Sequence, residues 1–587
     1  MTPREPVPPP SRSTRFLAAR LEARDENGFW LALSLLLGLA AAIRFLVQAH
    51  AAPGGIQSDA MMFLSWMGRW DDPSALMGDL VADYWQSVTP WFFQALFKGA
   101  WQLGIGPHAF ARLLPAMLFV AVPIASFRFL RSIGAEPLVA FAATALLLFN
   151  FVALSNSMAS ATPRSLWPLL LLLLLDGLAR RNIVQSALTQ GCLAGCYPQL
   201  TLVTSTMIGM TLLQPRLLFL DLAPKRLLLV GACGLATVAG LLPFVLETGA
   251  FSPVVTLAEA RTLSTFGPEG RNVVFEPDGS VDLLCGRRVG LFQNACHGTP
   301  NLLFVFLALA AVFGPVVLLR RWLRSDESRR MGMSSELPFL LLLASLAWFV
   351  IAASTMFRLH LPSRYSTALV TLAILTTFPL LVERIRARRF PRWLRERRSG
   401  RILMHVGTIA VLILAFGGAL GVKRSMLSPD NPELVAFVRS LPPGARVAGF
   451  VTDLDFSPVL TNRSTLFSRE LTIGYQLGYL RPILARMADI RDAILTNDPV
   501  ILADRLRRNQ VDVLLIADET LRDPKVPERF RGFFQADELK DAETQATVQG
   551  LTALSRSAAD CTLKRIGRVW ALDAPCLMAG TRAAVGG

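Results

Sequence analysis

The chain has 587 residues, of which 52% are hydrophobic and only 17% charged, with a formal net charge of +16 at pH 7. A soluble protein carries about 25% charged residues, and the mean hydropathy of +0.44 is high, so an ordinary soluble protein is excluded. The apolar residues come in runs of about 18–22, long enough to cross a membrane. Basic loops beside such runs account for the net charge, so nucleic-acid binding is not expected.

The first apolar run covers Phe29 to Gln48 and follows a basic, Pro-rich segment, residues 1–28, predicted to be disordered and cytoplasmic. Arg44 interrupts this run, which is long for a signal peptide, so cleavage after Ala51 is not expected. Together with later runs it predicts about eleven spans. The later runs are at 109–129, 138–155, 166–179, 183–197, 199–214, 227–246, 301–319, 336–354, 366–383 and 402–421. The runs at 183–197 and 199–214, which are separated at Tyr197-Pro198, are alternatively a hairpin that does not fully cross the membrane.

Basic clusters in alternate loops give these spans a direction. They lie at Arg180/Arg181, Arg216/Lys225/Arg226, Arg320/Arg321/Arg324 and from Arg384 to Arg401. Because such clusters are retained in the cytoplasm, the N-terminus is predicted to be cytoplasmic and everything after Gly421 to lie outside. The predicted location is the bacterial cytoplasmic (inner) membrane, crossed many times, with a periplasmic C-terminal domain.

Two cysteine pairs fall on the predicted outer side. Cys285 and Cys296 share a loop, and Cys561 and Cys576 lie in the C-terminal domain. Each pair is close enough in sequence to close a small disulfide loop in an oxidising compartment, with free thiols as the alternative. Cys-x-x-Cys pairs of zinc sites are absent from the sequence, so a zinc site is not expected.

The pattern changes from about residue 425, where short apolar strands alternate with helices. Helices are predicted at 432–441, 482–496 and 499–509, and strands at 446–451, from Leu466, at 511–517 and at 569–572. This alternation predicts a periplasmic α/β domain over 425–587, after a transmembrane domain over 29–424. Asp453-Leu-Asp455 matches the short DxD pattern of metal–nucleotide sites, and a polar turn at a strand end is the alternative.

The first outer loop, residues 49–108, is too long to be a simple connector. It holds Asp59, an amphipathic stretch from Met61 to Met67, then Asp83, and a second amphipathic stretch from Trp91 to Leu103. Its tryptophans suit the membrane–water boundary. Two helices on the outer surface, with a carboxylate just before the first, form a site that faces both lipid and water.

The order of these features resembles a known superfamily. One span is followed by an outer loop with an early Ser58-Asp59-Ala60, a surface helix, a second helix opened by Thr89-Pro90, and Arg112-Leu-Leu-Pro115 entering the next span. A later segment, Phe357 to Tyr365, is similar to the Pro-x-Arg-Tyr element that opens a late span. This arrangement resembles the GT-C superfamily of polyprenyl-phosphate-sugar glycosyltransferases, which includes protein O-mannosyltransferases and bacterial lipid A aminoarabinose transferases. The resemblance covers about residues 29–421 as architecture and only these segments as motifs.

The resemblance implies a GT-C-like helical membrane fold and an inverting glycosyltransferase. Such an enzyme moves a sugar from a polyprenyl phosphate to a lipid, glycan or protein acceptor on the periplasmic face. Asp59 matches the general base that takes the proton of the acceptor hydroxyl, and Asp83 is a candidate second acid. Alternatively, Asp59 only caps the helix that begins at Ala60.

The leaving phosphate of such a reaction has to be stabilised by fixed positive charge. Arg364 suits this role through bidentate donation, and snorkelling at the interface is the alternative. The other residues expected to bind the donor phosphate are Arg358, His360 and Arg164.

The second outer loop, Ser155 to Arg164, departs from the pattern of relatives with a metal site because it holds no carboxylate. No cofactor is therefore expected, and a divalent metal least of all. The expected partners are a polyprenyl-phosphate-linked sugar, membrane lipids and an unidentified envelope acceptor. Two other classes stay open: a lipid or solute transporter, for which no matched pair of interrupted helices is evident, and a non-catalytic assembly or sensor protein with a ligand-binding tail.

Overall fold

The structure is a computed structural model that describes residues 12–52, 54–149, 152–214, 219–220, 223–291, 336–366, 369, 372–373, 376, 398–420, 426–548 and 550–585. The predicted span at 301–319 and Cys296 lie outside these residues, as does most of the predicted span at 366–383.

The described residues before position 425 are largely helical. The helices are α1 (Arg12–Ala51), α2 (Ser58–Leu64), α3 (Leu80–Val88), α4 (Trp91–Gln102), α5 (Pro107–Ser132), α6 (Pro137–Phe149), α7 (Val152–Ala159), α8 (Trp167–Ala179), α9 (Ile183–Cys196), α10 (Pro198–Met210), α11 (Pro224–Glu247), α12 (Leu257–Thr262), α13 (Leu337–Ser354) and α14 (Arg398–Leu420). A short antiparallel pair, β1 (Leu213–Gln214) and β2 (Phe219–Leu220), follows α10.

Helix α1 begins at Arg12, well ahead of the predicted start of the first span at Phe29. The part of the segment 1–28 that the structure describes is therefore helical, whereas the prediction for this segment was disorder. Its residues explain the difference, because the stretch from Arg12 is rich in Arg, Ala, Leu and Glu, which favour helix strongly.

Four helices within the described residues are long and apolar enough to cross a membrane, judged by length and composition: Glu26–Ala51, Pro107–Ser132, Pro224–Phe251 and Leu337–Ser354. Large apolar side chains such as Ile43, Met117, Leu235 and Val350 are exposed on them. Extended apolar surface is unfavourable in water and is expected to face lipid. The chain is thus a membrane protein, while the number of eleven spans stays a prediction.

The break predicted at Tyr197-Pro198 separates α9 from α10. Pro198 opens α10 at its first turn, and Tyr197 lies between the two helices with φ −146° and ψ 79°. A proline disfavours helical geometry in the residue before it, which explains the break at this point. Each half has only 13 or 14 residues, fewer than the roughly 20 that a membrane-crossing helix needs.

The described residues of the first outer loop include three complete α-helices, of which α2 and α4 lie at the predicted amphipathic stretches. Helix α3 was not predicted, and Asp79 caps it by accepting a hydrogen bond from the Ala82 backbone amide at 2.8 Å. The indole of Trp91 on α4 donates to the carbonyl of Gly240 on α11 at 2.8 Å. This contact fastens the loop to the membrane domain.

The C-terminal domain is an α/β structure around a five-stranded sheet of order β4-β3-β5-β7-β6. Its helices are α15 (Pro432–Ser440), α16 (Ser457–Thr461), α17 (Leu477–Leu495), α18 (Pro499–Arg508), α19 (Asp518–Arg522), α20 (Glu528–Arg531), α21 (Ala536–Val548), α22 (Ala553–Ser557) and α23 (Ala574–Val585). Its strands are β3 (Arg446–Ala448), β4 (Ser464–Thr465), β5 (Val513–Ala517), β6 (Thr562–Ile566) and β7 (Val569–Asp573).

Strand β5 lies at the centre of this sheet, parallel to β3 and antiparallel to β7. Its side chains are buried on both faces: Val513 and Leu515 pack with Leu434 and Val438 of α15, whereas Leu514 joins the large core that includes α17. Burial on both faces explains the continuous apolar run that predicted this strand. Cys561 and Cys576 form a disulfide with a Cα–Cα distance of 5.5 Å.

The C-terminal domain packs directly on the first outer loop. The ring of Tyr84 on α3 stacks on that of Tyr479 with 3.8 Å between centroids, and its hydroxyl donates to Gln476 at 2.6 Å. The indole of Trp85 donates to the carbonyl of Leu471 at 3.0 Å. The loop that carries Asp59 and the C-terminal domain therefore lie on the same side of the membrane.

The Asp453-Leu-Asp455 pattern lies in a 3-10 turn between β3 and α16, and both carboxylates are buried. Asp453 accepts hydrogen bonds from the backbone amides of Asp430 and Asn431, at 2.7 and 3.1 Å. Asp455 accepts one from the Glu470 amide at 3.1 Å. These bonds fit the polar-turn interpretation of the pattern.

Asp455→Asn is expected to flatten the pH dependence of stability. Burial raises the pKa of Asp455 to about 7 from an ordinary 3.8. Because the pKa is higher in the folded state than in the unfolded state, Asp455 stabilises the fold below pH 4, and this stabilisation is lost as the pH rises to about 7. The free energy of unfolding lost in this way is at most on the order of 4 kcal/mol. The asparagine variant, which cannot ionise, should gain Tm relative to the wild type at pH 8 but not at pH 4.5. An equal Tm difference at both pH values would contradict this, and Asp504→Asn, on the exposed surface of α18, is the control.

Candidate functional site

Asp59 lies in the first turn of α2, near the point where the chain leaves α1. The helix begins at Ser58 after the N-cap residue Gln57, so the alternative that Asp59 caps a helix beginning at Ala60 is wrong. A negative charge in a first helical turn is favoured by the helix dipole. Arg112 fixes the preceding segment, because its guanidinium donates to the carbonyls of Gly55 and Ala52 at 2.9 and 3.2 Å.

Arg164 forms an ion pair with the carboxylate of Asp59. It comes from a 3-10 turn, Pro163–Ser165, that leads into α8. The side chains of Arg164 and Asp59 are 30% and 33% exposed, so a ligand can reach both. The Nε of Arg164 is buried and has no hydrogen-bond partner within the described part of the chain.

The segment with the Pro-x-Arg-Tyr element folds into a tight turn followed by a 3-10 turn, Pro362–Tyr365. Phe357 and His360 pair across the tight turn through both backbone amides, at 3.3 and 3.0 Å. Both have positive φ, 72° and 65°, a conformation that costs a side-chain-bearing residue about 1–3 kcal/mol and that concentrates at functional sites. The turn presents Arg364 to the site.

Arg364 is partly buried and faces Tyr197, Tyr475 and the carboxylate of Asp59. Burial acts to lower the pKa of Arg364, but these three groups outweigh it and raise the pKa. Tyr197 comes from the break between α9 and α10, and Tyr475 comes from the C-terminal domain. Three distant segments of the chain therefore meet around one guanidinium.

Two further arginines complete the positive cluster. Arg271 and Arg288 come from the chain between α12 and α13, and the guanidinium of Arg288 donates to the backbone carbonyl of Arg271 at 2.8 Å. Burial lowers the pKa of Arg288, Tyr475 partly offsets this, and Arg271 and Arg364 lower it further. We call Asp59 together with Arg164, Arg271, Arg288 and Arg364 the arginine cluster.

The arginine cluster dominates the electrostatics of Asp59. Burial acts to raise its pKa, but Arg164, Arg364, Arg271 and Arg288, in that order, outweigh burial and lower the pKa below its usual 3.8. The carboxylate is therefore ionised at neutral pH. Four guanidinium groups face one carboxylate, and this excess of positive charge favours the binding of an anion such as a phosphate.

The structure brings Asp59, Arg164, Arg364 and His360 together. Burial and the charges of Arg364 and Arg288 lower the pKa of His360 to about 3, so it is neutral at pH 7 and adds no positive charge.

Two predicted residues lie apart from the cluster. Arg358 is exposed at the tip of the tight turn, and Asp83 pairs with Arg69 at 2.6 Å. Neither is among the charges that act on Asp59.

Four residues of this site were not predicted: Arg271, Arg288, Tyr197 and Tyr475. One signal was present, because Arg271 and Arg288 fall in a loop predicted to lie outside, where arginine next to a span is rare. Cys285 of the same loop is disulfide-bonded.

Among the described residues, no group of three or more His, Cys, Asp or Glu side chains could hold a metal ion. A cavity of about 520 Å³ lies in the C-terminal domain beside the ends of β3 and β5, lined by Thr452, Thr520, Asp523, Lys525 and other residues. Asp523 and Lys525 pair with each other at 2.7 Å, and the lining includes none of the arginine cluster.

No known family's sequence profile matches the chain, and no curated protein matches it. The structure is similar to solved structures of the oligosaccharyltransferase of Archaeoglobus fulgidus. The apo form aligns with a TM-score of 0.49 and 12% identity over 84% of this chain and 70% of that chain. The complex of this enzyme, AglB, with an inhibitory peptide and a dolichol-phosphate gives 0.46 and 12% over the same shares. Similarity at this level leaves the function to be argued from the site.

Proposed function

We propose that the protein is an inverting glycosyltransferase of GT-C architecture that takes a sugar from a polyprenyl-phosphate carrier. The observation that carries this proposal is the arginine cluster, in which Arg164 pairs with an ionised and partly accessible carboxylate and three further arginines act on that carboxylate electrostatically. The transfer of a sugar from a lipid phosphate to a hydroxyl group requires two parts, a carboxylate and an anion-binding site. The acceptor would be a lipid, glycan or protein.

In this reaction the acceptor hydroxyl oxygen bonds to the anomeric carbon while the bond from that carbon to the phosphate oxygen breaks. The bonding electrons stay on the phosphate, and Asp59 takes the hydroxyl proton. A single displacement inverts the anomeric centre. The proton transfer is late, because a carboxylate with a lowered pKa takes a proton readily only once the hydroxyl oxygen has become acidic through bond formation.

The arginines would act mainly on the leaving group. The carrier phosphate has one negative charge while it is esterified to the sugar and gains a second as it leaves. Fixed guanidinium groups therefore bind the transition state more strongly than the substrate, which is the condition for catalysis. We also propose that no divalent metal takes part, since Arg164 occupies the carboxylate of Asp59 and the loop from Ser155 to Arg164 offers no acidic ligand.

The topology supports a site on the periplasmic face of a bacterial inner membrane. Basic clusters in alternate loops favour a cytoplasmic N-terminus, and Asp59 lies on the same side as the C-terminal domain because Tyr84 and Trp85 of its loop contact that domain. A carrier lipid could reach such a site sideways, with its isoprenoid chain still in the bilayer.

Mass spectrometry of envelope lipids and glycans from a strain that lacks this gene tests the proposal. We expect loss of one sugar modification and accumulation of the unused lipid-linked sugar, both reversed by the wild-type gene. An intact modification on a mislocalised lipid would instead indicate a transporter. Unchanged lipids and glycans together with a defect in envelope assembly would indicate a non-catalytic role.

A further inference from the structure

The C-terminal domain reaches into the arginine cluster through one segment, residues 470–477. The guanidinium of Arg271 donates to Oε2 of Glu470, and the two side chains are only 19% and 9% exposed. Arg271 belongs to the membrane domain, whereas Glu470 lies between β4 and α17 of the C-terminal domain. This ion pair therefore crosses from one domain to the other at the edge of the site.

The electrostatic surroundings of Arg271 explain why it needs this partner. The guanidinium of Arg288 donates a hydrogen bond to the backbone carbonyl of Arg271. The positive charges of Arg271 and Arg364 repel the same guanidinium of Arg288. Two cations held close together in a partly buried place repel each other strongly. A carboxylate on the far side of Arg271 offsets that repulsion and holds the guanidinium within the cluster.

The position of Glu470 is itself fixed on several sides. Its Oε1 accepts a hydrogen bond from Arg469 at 2.6 Å, and its backbone amide donates to Asp455 at 3.1 Å. Its orientation is therefore set by the C-terminal domain before any ligand binds. A side chain held in this way can orient its partner at low entropic cost.

The same segment supplies a wall of the site. The ring of Tyr475 lies 4.8 Å from that of His360, edge to face, and 5.8 Å from that of Phe357. The Tyr475 carbonyl accepts a hydrogen bond from the Val255 amide at 2.7 Å, and the Leu477 amide donates to Pro253 at 2.8 Å. The membrane domain thus holds the segment on both sides of Tyr475.

We infer that Glu470 is a positioning residue that orients Arg271 toward the donor phosphate, so that the C-terminal domain forms part of the donor site. The inference rests on the proposed function, because it takes the anion in the arginine cluster to be the phosphate of a polyprenyl carrier. Glu470 does not touch the donor itself and acts through Arg271.

A double-mutant cycle with a synthetic polyprenyl monophosphate in detergent micelles tests this role. Binding to the purified full-length protein is measured by native mass spectrometry, so no acceptor or sugar has to be known. Glu470→Gln and Arg271→Gln should each raise the Kd about tenfold, as expected for loss of a charge-assisted contact. The double variant should bind no more weakly than Arg271→Gln alone, because both changes remove the same interaction.

The control is Glu259→Gln, which breaks another ion pair between the domains, Glu259 with Arg481 at 3.0 Å and largely exposed. It should leave the Kd unchanged, whereas Arg271→Lys, which keeps the charge, should bind with intermediate strength. A wild-type Kd for Glu470→Gln, or a further tenfold loss in the double variant, would overturn the positioning role. Failure of the wild type to bind would overturn the proposed function together with the inference.

Discussion

Asp59→Asn is expected to reduce sugar transfer by a factor of about 10²–10⁴, the range for loss of a general base. The same change should leave binding of polyprenyl phosphate intact or make it tighter. It removes the carboxylate from among four guanidinium groups, so the positive potential at the phosphate rises. Transfer is measured in membranes of the gene-deletion strain that carry each variant, with the product identified by mass spectrometry.

This pair of results separates catalysis from a structural role. If Asp59 served only to hold Arg164, with which it forms an ion pair, its loss would weaken donor binding along with transfer. Asp83→Asn is the matched control, because Asp83 is also a carboxylate of the first outer loop and also pairs with an arginine, Arg69. It lies apart from the arginine cluster, so its transfer rate should stay near that of the wild type. Normal transfer by the Asp59→Asn variant would refute the assignment of the base.

Much of the fold could be predicted because each element has a local pattern. The predicted helix at 432–441 and the predicted strand at 511–517 match the observed Pro432–Ser440 and Val513–Ala517 to within two residues at each end. The break at Tyr197-Pro198 followed from proline geometry. Strand β6 (Thr562–Ile566) was missed because Lys564 and Arg565 interrupt its apolar pattern, and it forms by pairing with β7.

The site was only half predictable, for a physical reason. Asp59 and Arg364 lie in motifs whose order along the chain is informative. The site also includes Arg271, Arg288 and Tyr475, which tertiary packing between the two domains brings close to Asp59 and Arg364. No periodicity or spacing in the local sequence predicts such a long-range contact. The presence of Arg271 and Arg288 in a predicted outer loop was the one available hint. It suggests that basic residues on the outer side of a membrane protein are candidates for anion binding.

Arg364→Gln is expected to lower kcat/KM for the donor by a factor of about 10²–10³, as for removal of one group that stabilises a developing negative charge. Arg364→Lys should recover only part of this loss, because lysine keeps the charge but not the planar, bidentate donor pair. The guanidinium of Arg364 is hydrogen-bonded to Tyr197, and the charges of Asp59 and Tyr475 also act on it. The measurement is the initial transfer rate as a function of donor concentration, in the same membranes.

Arg358→Gln provides the matched control, since Arg358 lies in the same tight turn but is exposed. If the turn acted only by attracting anionic lipid to the surface, both arginines would matter about equally and high salt would abolish the difference from the wild type. If the arginine cluster stabilises the leaving phosphate, Arg364→Gln should stay defective at every salt concentration and Arg358→Gln should stay close to the wild type. Equal losses in the two variants would assign the turn to general attraction of anions and leave the phosphate without its principal ligand.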